Sequence, residues 1–419
     1  MIEELIRGVE HCPCGRSHEC PVEQIEIGAG ALEKLPDICA GYKRILLVCD
    51  DNTWAACGEQ VYDLLAESVE NKLILVPNGD VVIPNEGKIA EIESGLSQET
   101  DLILGVGSGV INDLCKYVSF FHNLPYFIVA TAPSMDGYVS VGAAMILKGM
   151  KATVNARPPK AVIADTDVLK NAPMAMLQAG YGDIIGKFSC LNDWKLSALI
   201  YGEYFCQRVY DMTMDCAKKV STMAQGVLNR DAATVTALME ALVIVGIAMS
   251  YVDCSRPASG SEHHLSHFFE ITGILEDKPY FSHGIDVAYS SVLTAKLRRQ
   301  IMQETPVAQP FDRQQWEQQI RRVYGSSADG VIALQDKLGW YLRADSEAVL
   351  GQWEQICKVL EEAPNPEQTQ LLVEAVGLRY ADFESLYGQE KLHDATAYAK
   401  DLKDRYSVLW LYDRYIQKK

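Results

Sequence analysis

Asp101-Leu-Ile-Leu-Gly-Val-Gly107-Ser-Gly-Val-Ile-Asn-Asp113 is the stretch of sequence that decides the fold. Its apolar first part, residues 101–106, predicts a buried strand, and residues 114–121, which follow the glycines, predict a helix. The glycines would let backbone N–H groups approach a pyrophosphate at the start of this helix, where the dipole favours an anion. A plain tight turn is the alternative, but the position between a strand and a helix favours the anion site.

Two details separate this turn from the common dinucleotide-binding fingerprint. Val110 stands where that fingerprint has its third glycine, and the turn follows the third predicted strand instead of the first. The sequence is therefore not best explained as an ordinary Rossmann dehydrogenase.

Strands alternate with helices through the first part of the chain. Besides residues 101–106, apolar β-type runs occupy residues 44–49, 72–77 and 126–130, with helix-like residues 58–71 and 87–97 between them. Residues 139–164 predict a hairpin that is followed by one more strand at 161–164. This alternation predicts a parallel sheet with both faces covered.

The pattern changes at Asn171, after which long segments favour helices. Examples are residues 231–252, 314–324 and 346–362. We therefore expect an α/β N-terminal nucleotide-binding domain with a Rossmann-like parallel sheet over residues 1–170. An all-α C-terminal domain is expected over residues 171–419, with the active site in the cleft between the two.

The composition argues against several classes of partner. The 419 residues include 38 Lys and Arg against 56 Asp and Glu, a net charge of −18, which disfavours binding to nucleic acid or an anionic membrane. The longest apolar stretch, residues 241–252, suits a buried helix and is too short to span a bilayer. Twelve scattered cysteines and an acidic N-terminus without a signal-like apolar core favour a reduced, cytoplasmic protein.

Two further polar segments follow predicted strands. Thr131-Ala-Pro-Ser-Met-Asp-Gly-Tyr-Val-Ser140 places hydroxyls and a carboxylate at the end of the fourth strand. It suits a ligand in the sheet crevice and, equally, a capped turn. Asp51, in Asp50-Asp-Asn-Thr53 after the first strand, could bond a ribose hydroxyl, although a helix N-cap before Trp54 is slightly favoured.

Three of the eight histidines fall within five residues, in Ser259-Gly-Ser-Glu-His263-His264-Leu-Ser-His267, and His283 follows. If Ser261 or Ser259 caps a helix, His263 and His267 share one face, with β-carbons about 6 Å apart. His264 would point roughly 100° away and is expected to be a bystander. Imidazoles bind zinc and other late divalent metals, so a metal or catalytic role is favoured over structural histidines.

Spacing alone does not choose the carboxylate that would complete such a site. Asp183, in Gly180-Tyr-Gly-Asp-Ile-Ile-Gly-Lys187, lies among small residues, and a helix N-cap is the favoured interpretation on the residues alone.

The N-terminal Cys12-Pro-Cys-Gly-Arg-Ser-His18-Glu-Cys20 also contains metal-binding residue types. Because no second Cys-x-x-Cys follows nearby, we expect a structural or unimportant segment there and no stable zinc site.

Four motifs together resemble one family. They are Gly107-Ser-Gly-Val-Ile-Asn-Asp-Leu-Cys-Lys116, Thr131-Ala-Pro-Ser-Met-Asp-Gly-Tyr138, Gly180-Tyr-Gly-Asp-Ile-Ile-Gly-Lys187 and Pro257-Ala-Ser-Gly-Ser-Glu-His-His-Leu-Ser-His267. In this order they look like the bacterial sn-glycerol-1-phosphate dehydrogenases, which belong with the iron-containing alcohol dehydrogenases, glycerol dehydrogenase and 3-dehydroquinate synthase. The resemblance covers residues from about 22 to about 290, and the last hundred-odd residues carry no sharp motif.

The resemblance implies a role for each matching residue. Asp183, His263 and His283 would hold one divalent metal. His267 and Asp136 would be catalytic and would contact the substrate, as would Asp183. The cofactor-binding residues would be Gly107, Ser108, Gly109, Val110, Ile111, Thr131, Ala132, Pro133, Ser134 and Ser140. Asp51 is added to this set because of its place after the first strand.

The implied activity is the metal-dependent interconversion of dihydroxyacetone phosphate and sn-glycerol 1-phosphate with NAD or NADP. The metal would polarise the ketone as hydride arrives, and His267 would pass the proton. Lys187 and Arg256 are candidate cations for the phosphate. Zinc, nickel and iron all suit two histidines and one carboxylate. The resemblance also implies a homodimer or higher homo-oligomer and a place in phospholipid metabolism.

Three alternatives stay open. A glycerol dehydrogenase would act on the unphosphorylated polyol. A dehydroquinate synthase-like lyase would share fold, cofactor and metal, but it would be expected to have a Glu where this chain has Asp183. A non-catalytic binding protein is disfavoured by the intact metal-ligand residues.

Overall fold

The computed structural model describes residues 2–77, 82–147 and 150–416, which divide into two compact units. The first comprises Met1–Ile184 and Thr222–Ser255, and the second comprises Ile185–Ser221 and Arg256–Lys419. Residues 171–184 and Thr222–Ser255 lie beyond the boundary expected at residue 170, yet they belong to the unit that holds the strands.

In the described part of the chain, the first unit contains a six-stranded sheet and a two-stranded hairpin. The strands are β1 (Gln24–Gly28), β2 (Ile45–Asp50), β3 (Val69–Leu75), β4 (Leu102–Gly107), β5 (Tyr126–Ala130), β6 (Gly142–Leu147), β7 (Met150–Asn155) and β8 (Ala161–Asp165). The larger sheet has the order β1-β8-β5-β4-β2-β3, and every neighbouring pair is parallel. β6 and β7 pair in an antiparallel hairpin. The predictions of a parallel sheet and of a hairpin before the last strand are confirmed.

Burial on both faces explains why the central strands are continuous apolar runs in the sequence. Every residue of β4, β5 and β8 is buried, as expected for parallel strands that are covered on both faces. β4 and β5 run in register from Ile103 opposite Tyr126 to Gly107 opposite Ala130. Because parallel strands end at the same edge of a sheet, the residues after Gly107, Ala130 and Asp50 share one edge, which is where α/β sheets bind ligands.

The helices of the first part of the chain cover this sheet. They are α1 (Ile2–Ile6), α2 (Leu35–Ile38), α3 (Asp51–Thr53), α4 (Glu59–Leu64), α5 (Glu86–Ser94), α6 (Gly109–Phe121), α7 (Thr166–Leu169) and α8 (Met174–Ile185). A π-helical segment, Trp54–Gly58, precedes α4. One core cluster joins β2, β4, β5 and β8 to this layer through residues such as Leu47, Leu104 and Val129.

The rest of the described chain is helical, which confirms the predicted order of an α/β part followed by a helical part. The helices are α9 (Lys187–Tyr201), α10 (Gln207–Ser221), α11 (Ala224–Leu228), α12 (Ala232–Val252), α13 (Ser261–Glu276), α14 (His283–Gln303), α15 (Arg313–Tyr324), α16 (Ala328–Leu338), α17 (Ser346–Gly351), α18 (Trp353–Leu360), α19 (Pro366–Ala375), α20 (Tyr380–Tyr398) and α21 (Val408–Tyr415). The second unit has its own core, which includes Leu196, Ile356 and Trp410.

Helix α12 is mostly apolar. By length and composition its 21 residues could cross a membrane, but 67% of its apolar window is buried within the protein. A core helix of a soluble protein has the same properties. The prediction of a buried helix is confirmed, although the helix begins at Ala232 and is longer than the apolar stretch at 241–252.

Three element predictions differ from the structure. The helix expected over residues 58–71 ends at Leu64, because the chain turns there and enters β3 at Val69. The helix expected over 346–362 is two helices, α17 and α18, which are separated at Gln352. β1 was not predicted, although Ile25 and Ile27 alternate with polar residues, a pattern that is typical of a partly buried strand.

Candidate active site

The glycine turn joins β4 to α6. Ser108 is the N-cap of α6 but forms no side-chain cap, and its carbonyl accepts the Asn112 N–H at 2.9 Å. A β-carbon on Gly107 would lie 2.6 Å from Ile111, whereas one on Gly109 would meet nothing closer than Met135 at 3.6 Å. Gly107 is therefore required by packing, whereas a β-carbon on Gly109 would make only an ordinary contact with the Met135 side chain.

The segment from Thr131 to Ser140 begins beside this turn. The Thr131 N–H donates to the Gly107 carbonyl at 3.1 Å, and the Tyr138 hydroxyl donates to the Ala132 carbonyl at 2.7 Å. Helix α8 approaches so closely that a β-carbon on Gly180 would lie 1.8 Å from the Pro133 carbonyl oxygen. Gly180 thus fixes α8 against the segment that was predicted to contact the cofactor.

This close approach brings two of the predicted acidic residues together. Asp183 lies in the last turn of α8 and is fully buried, and its Oδ2 accepts the Asp136 backbone N–H at 3.0 Å. The interpretation of Asp183 as a helix N-cap is wrong, because the residue is near the C-terminal end of its helix. Asp136 opens a 3-10 helix, Asp136–Val139, and is 8% exposed.

A buried lysine holds the end of this segment in place. The Lys116 ammonium donates to the carbonyls of Gly137 at 2.8 Å and Gly142 at 2.9 Å and lies 3.2 Å from the Ser140 hydroxyl. Burial lowers the pKa of Lys116, while the nearby Asp113 carboxylate raises it. The Ser140 hydroxyl also donates to the Gly137 carbonyl, so this predicted cofactor residue has an internal partner.

The turn after β2 contains the helix N-cap that the sequence favoured. Asp50 and Thr53 form a capping box, in which Asp50 accepts the Thr53 N–H at 2.8 Å and Thr53 accepts the Asp50 N–H at 2.9 Å. Asp51 is the first residue of α3 and is exposed. The capping role therefore belongs to Asp50, and the Asp51 side chain stays available for its predicted contact with a ribose.

In the second unit, α13 and α14 bring three histidine rings together. The ring centroids of His263 and His267 are 6.2 Å apart, those of His263 and His283 are 5.0 Å apart, and those of His267 and His283 are 5.4 Å apart. His263 is 4% exposed, while His267 and His283 are partly buried. The prediction that His263 and His267 share one face of a helix is confirmed.

The start of α13 is stabilised differently from the prediction. Gly260 is the N-cap and forms no side-chain cap, so neither Ser259 nor Ser261 caps the helix. Instead, the buried Asp193 carboxylate accepts the Ser261 N–H at 2.7 Å. A β-carbon on Gly260 would lie 2.6 Å from the backbone of Cys190, so this position requires glycine.

A buried carboxylate orients His263. Glu262 Oε1 lies 2.7 Å from His263 Nδ1 and accepts the Gly260 N–H at 2.9 Å. Burial of Glu262 opposes its ionisation, but the hydrogen bonds from His263 and Gly260 outweigh this effect and lower its pKa. With Nδ1–H donated to Glu262, the Nε2 lone pair is the one that can bind a metal.

His283, the first residue of α14, is oriented by a serine. The Ser266 hydroxyl lies 3.2 Å from His283 Nδ1 and donates to the His283 carbonyl at 3.3 Å. Both histidines therefore use Nδ1 inside the protein, an arrangement that is typical of metal ligands binding through Nε2. Glu262 and Ser266 were not predicted as site residues, although each lies next to a histidine of the quoted motif.

His264 is a bystander, as predicted, but it is not at the surface. It is fully buried, and neither ring nitrogen has a hydrogen-bond partner among the described residues. Burial lowers its pKa well below the usual value, and the positive charges of Arg405, Lys403 and Arg256 lower it further. His264 is therefore neutral.

Both candidate phosphate cations are buried and have protein partners. Arg256 pairs through two nitrogens with Glu203, at 2.6 and 2.5 Å, while its Nη1 has no hydrogen-bond partner among the described residues. The Lys187 ammonium donates to the Ala258 carbonyl at 2.9 Å.

Comparisons with known proteins show the fold. The family model of iron-containing alcohol dehydrogenases matches residues 26–173. A solved 1,3-propanediol oxidoreductase is similar with a TM-score of 0.63 at 16% identity, covering 93% of this chain and 97% of that chain. An archaeal alcohol dehydrogenase from a Red Sea brine pool gives a TM-score of 0.61 at 16% identity, with 94% and 97% of the two chains covered.

Curated relatives are closer in sequence. The glycerol-1-phosphate dehydrogenase [NAD(P)+] of Bacillus licheniformis is 30% identical over 99% of this chain and 95% of its own length. The protein of the same name from Halalkalibacterium halodurans is 33% identical over 71% of this chain and 76% of its own length. The chain therefore belongs to the glycerol-1-phosphate dehydrogenase family, within the iron-containing alcohol dehydrogenases.

Proposed function

We propose that this protein is a metal-dependent oxidoreductase that interconverts dihydroxyacetone phosphate and sn-glycerol 1-phosphate with NAD or NADP. The observation that carries the proposal is the set of oriented histidines on α13 and α14, in a chain whose relatives across almost its whole length are glycerol-1-phosphate dehydrogenases. The proposal assigns separate tasks to the histidines, the two aspartates and the glycine turn.

Asp183, His263 and His283 are the proposed metal ligands. In the second unit the rings of His263 and His283 lie 5.0 Å apart, and in the first unit the Asp183 carboxylate is fully buried. Two imidazoles and one carboxylate suit zinc, nickel or iron, and three protein ligands leave a position for substrate. A divalent ion held there would supply Lewis-acid polarisation of a ketone oxygen.

His267 is the proposed proton carrier. Its ring lies beside both histidine ligands, at centroid distances of 6.2 and 5.4 Å, and it is less buried than His263. An imidazole can both donate and accept a proton near neutral pH. Asp136, whose N–H is fixed by the Asp183 carboxylate, is the proposed substrate contact on the α/β side.

The cofactor is proposed to bind at the carboxyl edge of the sheet. Backbone N–H groups from Gly107 to Ile111 would hold the pyrophosphate, and residues Thr131–Ser134 and Ser140 would line the site. Asp51 would contact the ribose, which favours NAD over NADP because a carboxylate repels a 2′-phosphate. The position of Gly109 at the start of α6 and the exposure of Asp51 support this assignment.

The substrate phosphate requires a positive group. Arg256 is the better of the two candidates, because its Nη1 has no hydrogen-bond partner among the described residues, whereas the Lys187 ammonium is held by a carbonyl. We further propose a cytoplasmic homodimer or higher homo-oligomer. The place in phospholipid metabolism stays a prediction.

The test is NADH oxidation with dihydroxyacetone phosphate and with dihydroxyacetone, before and after chelation and metal return. We expect a much higher kcat/KM with the phosphorylated ketone and loss of activity on chelation that metal restores. Equal rates on both ketones would favour a glycerol dehydrogenase. Full activity after thorough removal of metal would contradict the metal's role.

A further inference from the structure

We propose that Tyr387 on α20 is a positioning residue for the metal ligand His283, because its side chain joins the two helices that carry the histidines. This inference rests on the proposed function, since it concerns the metal that His283 would bind. All of the contacts that carry it lie within the second unit. It gives a task to the last part of the chain, in which the sequence shows no sharp motif.

The Tyr387 hydroxyl holds the chain on both sides of His283. It donates to the Asp286 carboxylate, at 2.8 Å from Oδ1 and 2.9 Å from Oδ2, and it accepts the Phe281 N–H at 3.2 Å. Phe281 precedes His283 by two residues, and the fully buried Asp286 follows it by three. One hydroxyl therefore fixes the point at which the chain enters α14 with the proposed ligand as its first residue.

The Tyr387 ring connects the same point to α13. It stacks on the Phe269 ring, with centroids 4.0 Å apart and ring planes 15° from parallel. Phe269 is fully buried and lies two residues after His267. The Phe281 ring meets Tyr387 edge-on at 6.0 Å, and aromatic pairs in both of these arrangements are attractive. Tyr387 thus contacts both of the helices that carry the histidines.

The shape of α20 brings Tyr387 to this place. Phe383, one turn earlier on the same face, packs edge-on against Phe269 at 5.2 Å and against Tyr289 of α14 at 5.3 Å. Directly after Tyr387 the helix is interrupted, because Gly388 has a φ of +70° and a ψ of +165°. This backbone conformation is essentially limited to glycine. Tyr387 therefore ends a helical segment whose aromatic face packs on α13 and α14.

The start of α14 needs support of this kind. The first N–H groups of a helix have no partner within it, and Ser282, the N-cap of α14, forms no side-chain cap. Ser266 orients the His283 ring, but its hydroxyl reaches only His283 itself. The hydrogen bonds of Tyr387 to the residues before and after His283 hold the backbone from which that ring projects.

Tyr387 holds its neighbours in place and does not carry protons. Burial raises the pKa of its hydroxyl well above the ordinary value, and the negative charge of Asp286 raises it further. The hydroxyl therefore stays protonated at neutral pH. Its proton is donated to Asp286 and its oxygen accepts the Phe281 N–H, so the group is engaged in both directions.

The test compares the metal affinity of Tyr387→Phe and Tyr201→Phe, as full-length proteins, by competition with a chromophoric chelator. Each variant keeps its ring and loses one hydroxyl that donates to an aspartate, since Tyr201 donates to Asp345 at 2.6 Å beside the core of the second unit. We expect Tyr387→Phe to bind the metal about tenfold more weakly than the wild type, as for other groups that support a metal ligand. Tyr201→Phe is expected to keep the wild-type affinity.

Thermal unfolding of the metal-free proteins separates positioning from stability. We expect both variants to unfold at lower temperature than the wild type, while only Tyr387→Phe loses metal affinity. Wild-type affinity in Tyr387→Phe would overturn the inference, as would an equal loss of affinity in Tyr201→Phe. Absence of metal from the wild type would overturn the proposed function as well. Metal that is lost in His263→Ala and bound normally by Tyr387→Phe would overturn this inference alone.

Discussion

His263 illustrates how much of the proposed site depends on a single neighbour. Glu262 is buried, and the hydrogen bonds from His263 and Gly260 are among the interactions that lower its pKa. A carboxylate in this position fixes the tautomer and raises the basicity of the opposite ring nitrogen. The residue therefore contributes to metal affinity without touching the metal.

Glu262→Gln is expected to weaken metal binding by about 10- to 100-fold, because the amide carries no charge to hold the imidazole. The affinity is measured by competition with a chromophoric chelator. Glu276→Gln is the control, since this carboxylate lies at the end of the same helix and pairs with Lys391 and Lys278. Equal metal affinity in Glu262→Gln and the wild type would contradict the orienting role.

At the scale of elements, the two glycines of the β4–α6 turn have different roles. Gly107 is needed for packing, and Gly109 is proposed to lie against the cofactor. Gly107→Ala is expected to destabilise the protein by about 1–3 kcal/mol, because its methyl group would overlap Ile111. Gly109→Ala is expected to leave stability unchanged and to raise KM for NADH about tenfold, or about 1.4 kcal/mol. Thermal unfolding and steady-state kinetics measure the two effects, and unchanged NADH kinetics in Gly109→Ala would argue against pyrophosphate at this turn.

The β2–α3 turn offers a second matched pair. Asp50→Ala removes a capping box and is expected to cost about 1 kcal/mol in urea unfolding. Asp51→Ala leaves the cap intact and is expected to weaken NADH binding while stability stays at the wild-type level. If Asp51→Ala binds NADH as tightly as the wild type, the ribose contact is wrong.

The local sequence predicts most of the helices and strands. It does not predict features that depend on contacts between residues far apart in the chain. The β5 bounds follow from residues 126–130 alone, because a run of buried β-branched and aromatic residues has one natural interpretation. β1 is different, since its five residues are only partly buried and its place in the sheet depends on parallel pairing with the distant strand β8.

At the scale of the whole molecule, the net charge of −18 opposes the approach of an anionic substrate. Raising the ionic strength toward 0.15 M shortens the screening length to about 8 Å and weakens this long-range repulsion. We expect kcat/KM for dihydroxyacetone phosphate to rise with salt at saturating NADH, while the value for neutral dihydroxyacetone stays constant. A steady fall for the phosphorylated ketone would indicate that local cations, such as Arg256, dominate its capture.

In the candidate site, too, some features could be predicted from the local sequence and others could not. The His263 and His267 pair was predictable from helical spacing, whereas the assignment of Asp183 rested on the family resemblance. Its burial and its bond to the Asp136 N–H depend on the close packing of α8 at Gly180, which no local pattern encodes.

The most direct test of the account compares metal content and turnover in His263→Ala and His267→Ala. We expect His263→Ala to lose one metal ion per chain together with its activity. His267→Ala is expected to keep the wild-type metal content while its turnover falls by about 100-fold or more, the usual contribution of a proton-transferring residue. Loss of the same ion from His267→Ala would contradict the separation of metal ligand from proton carrier.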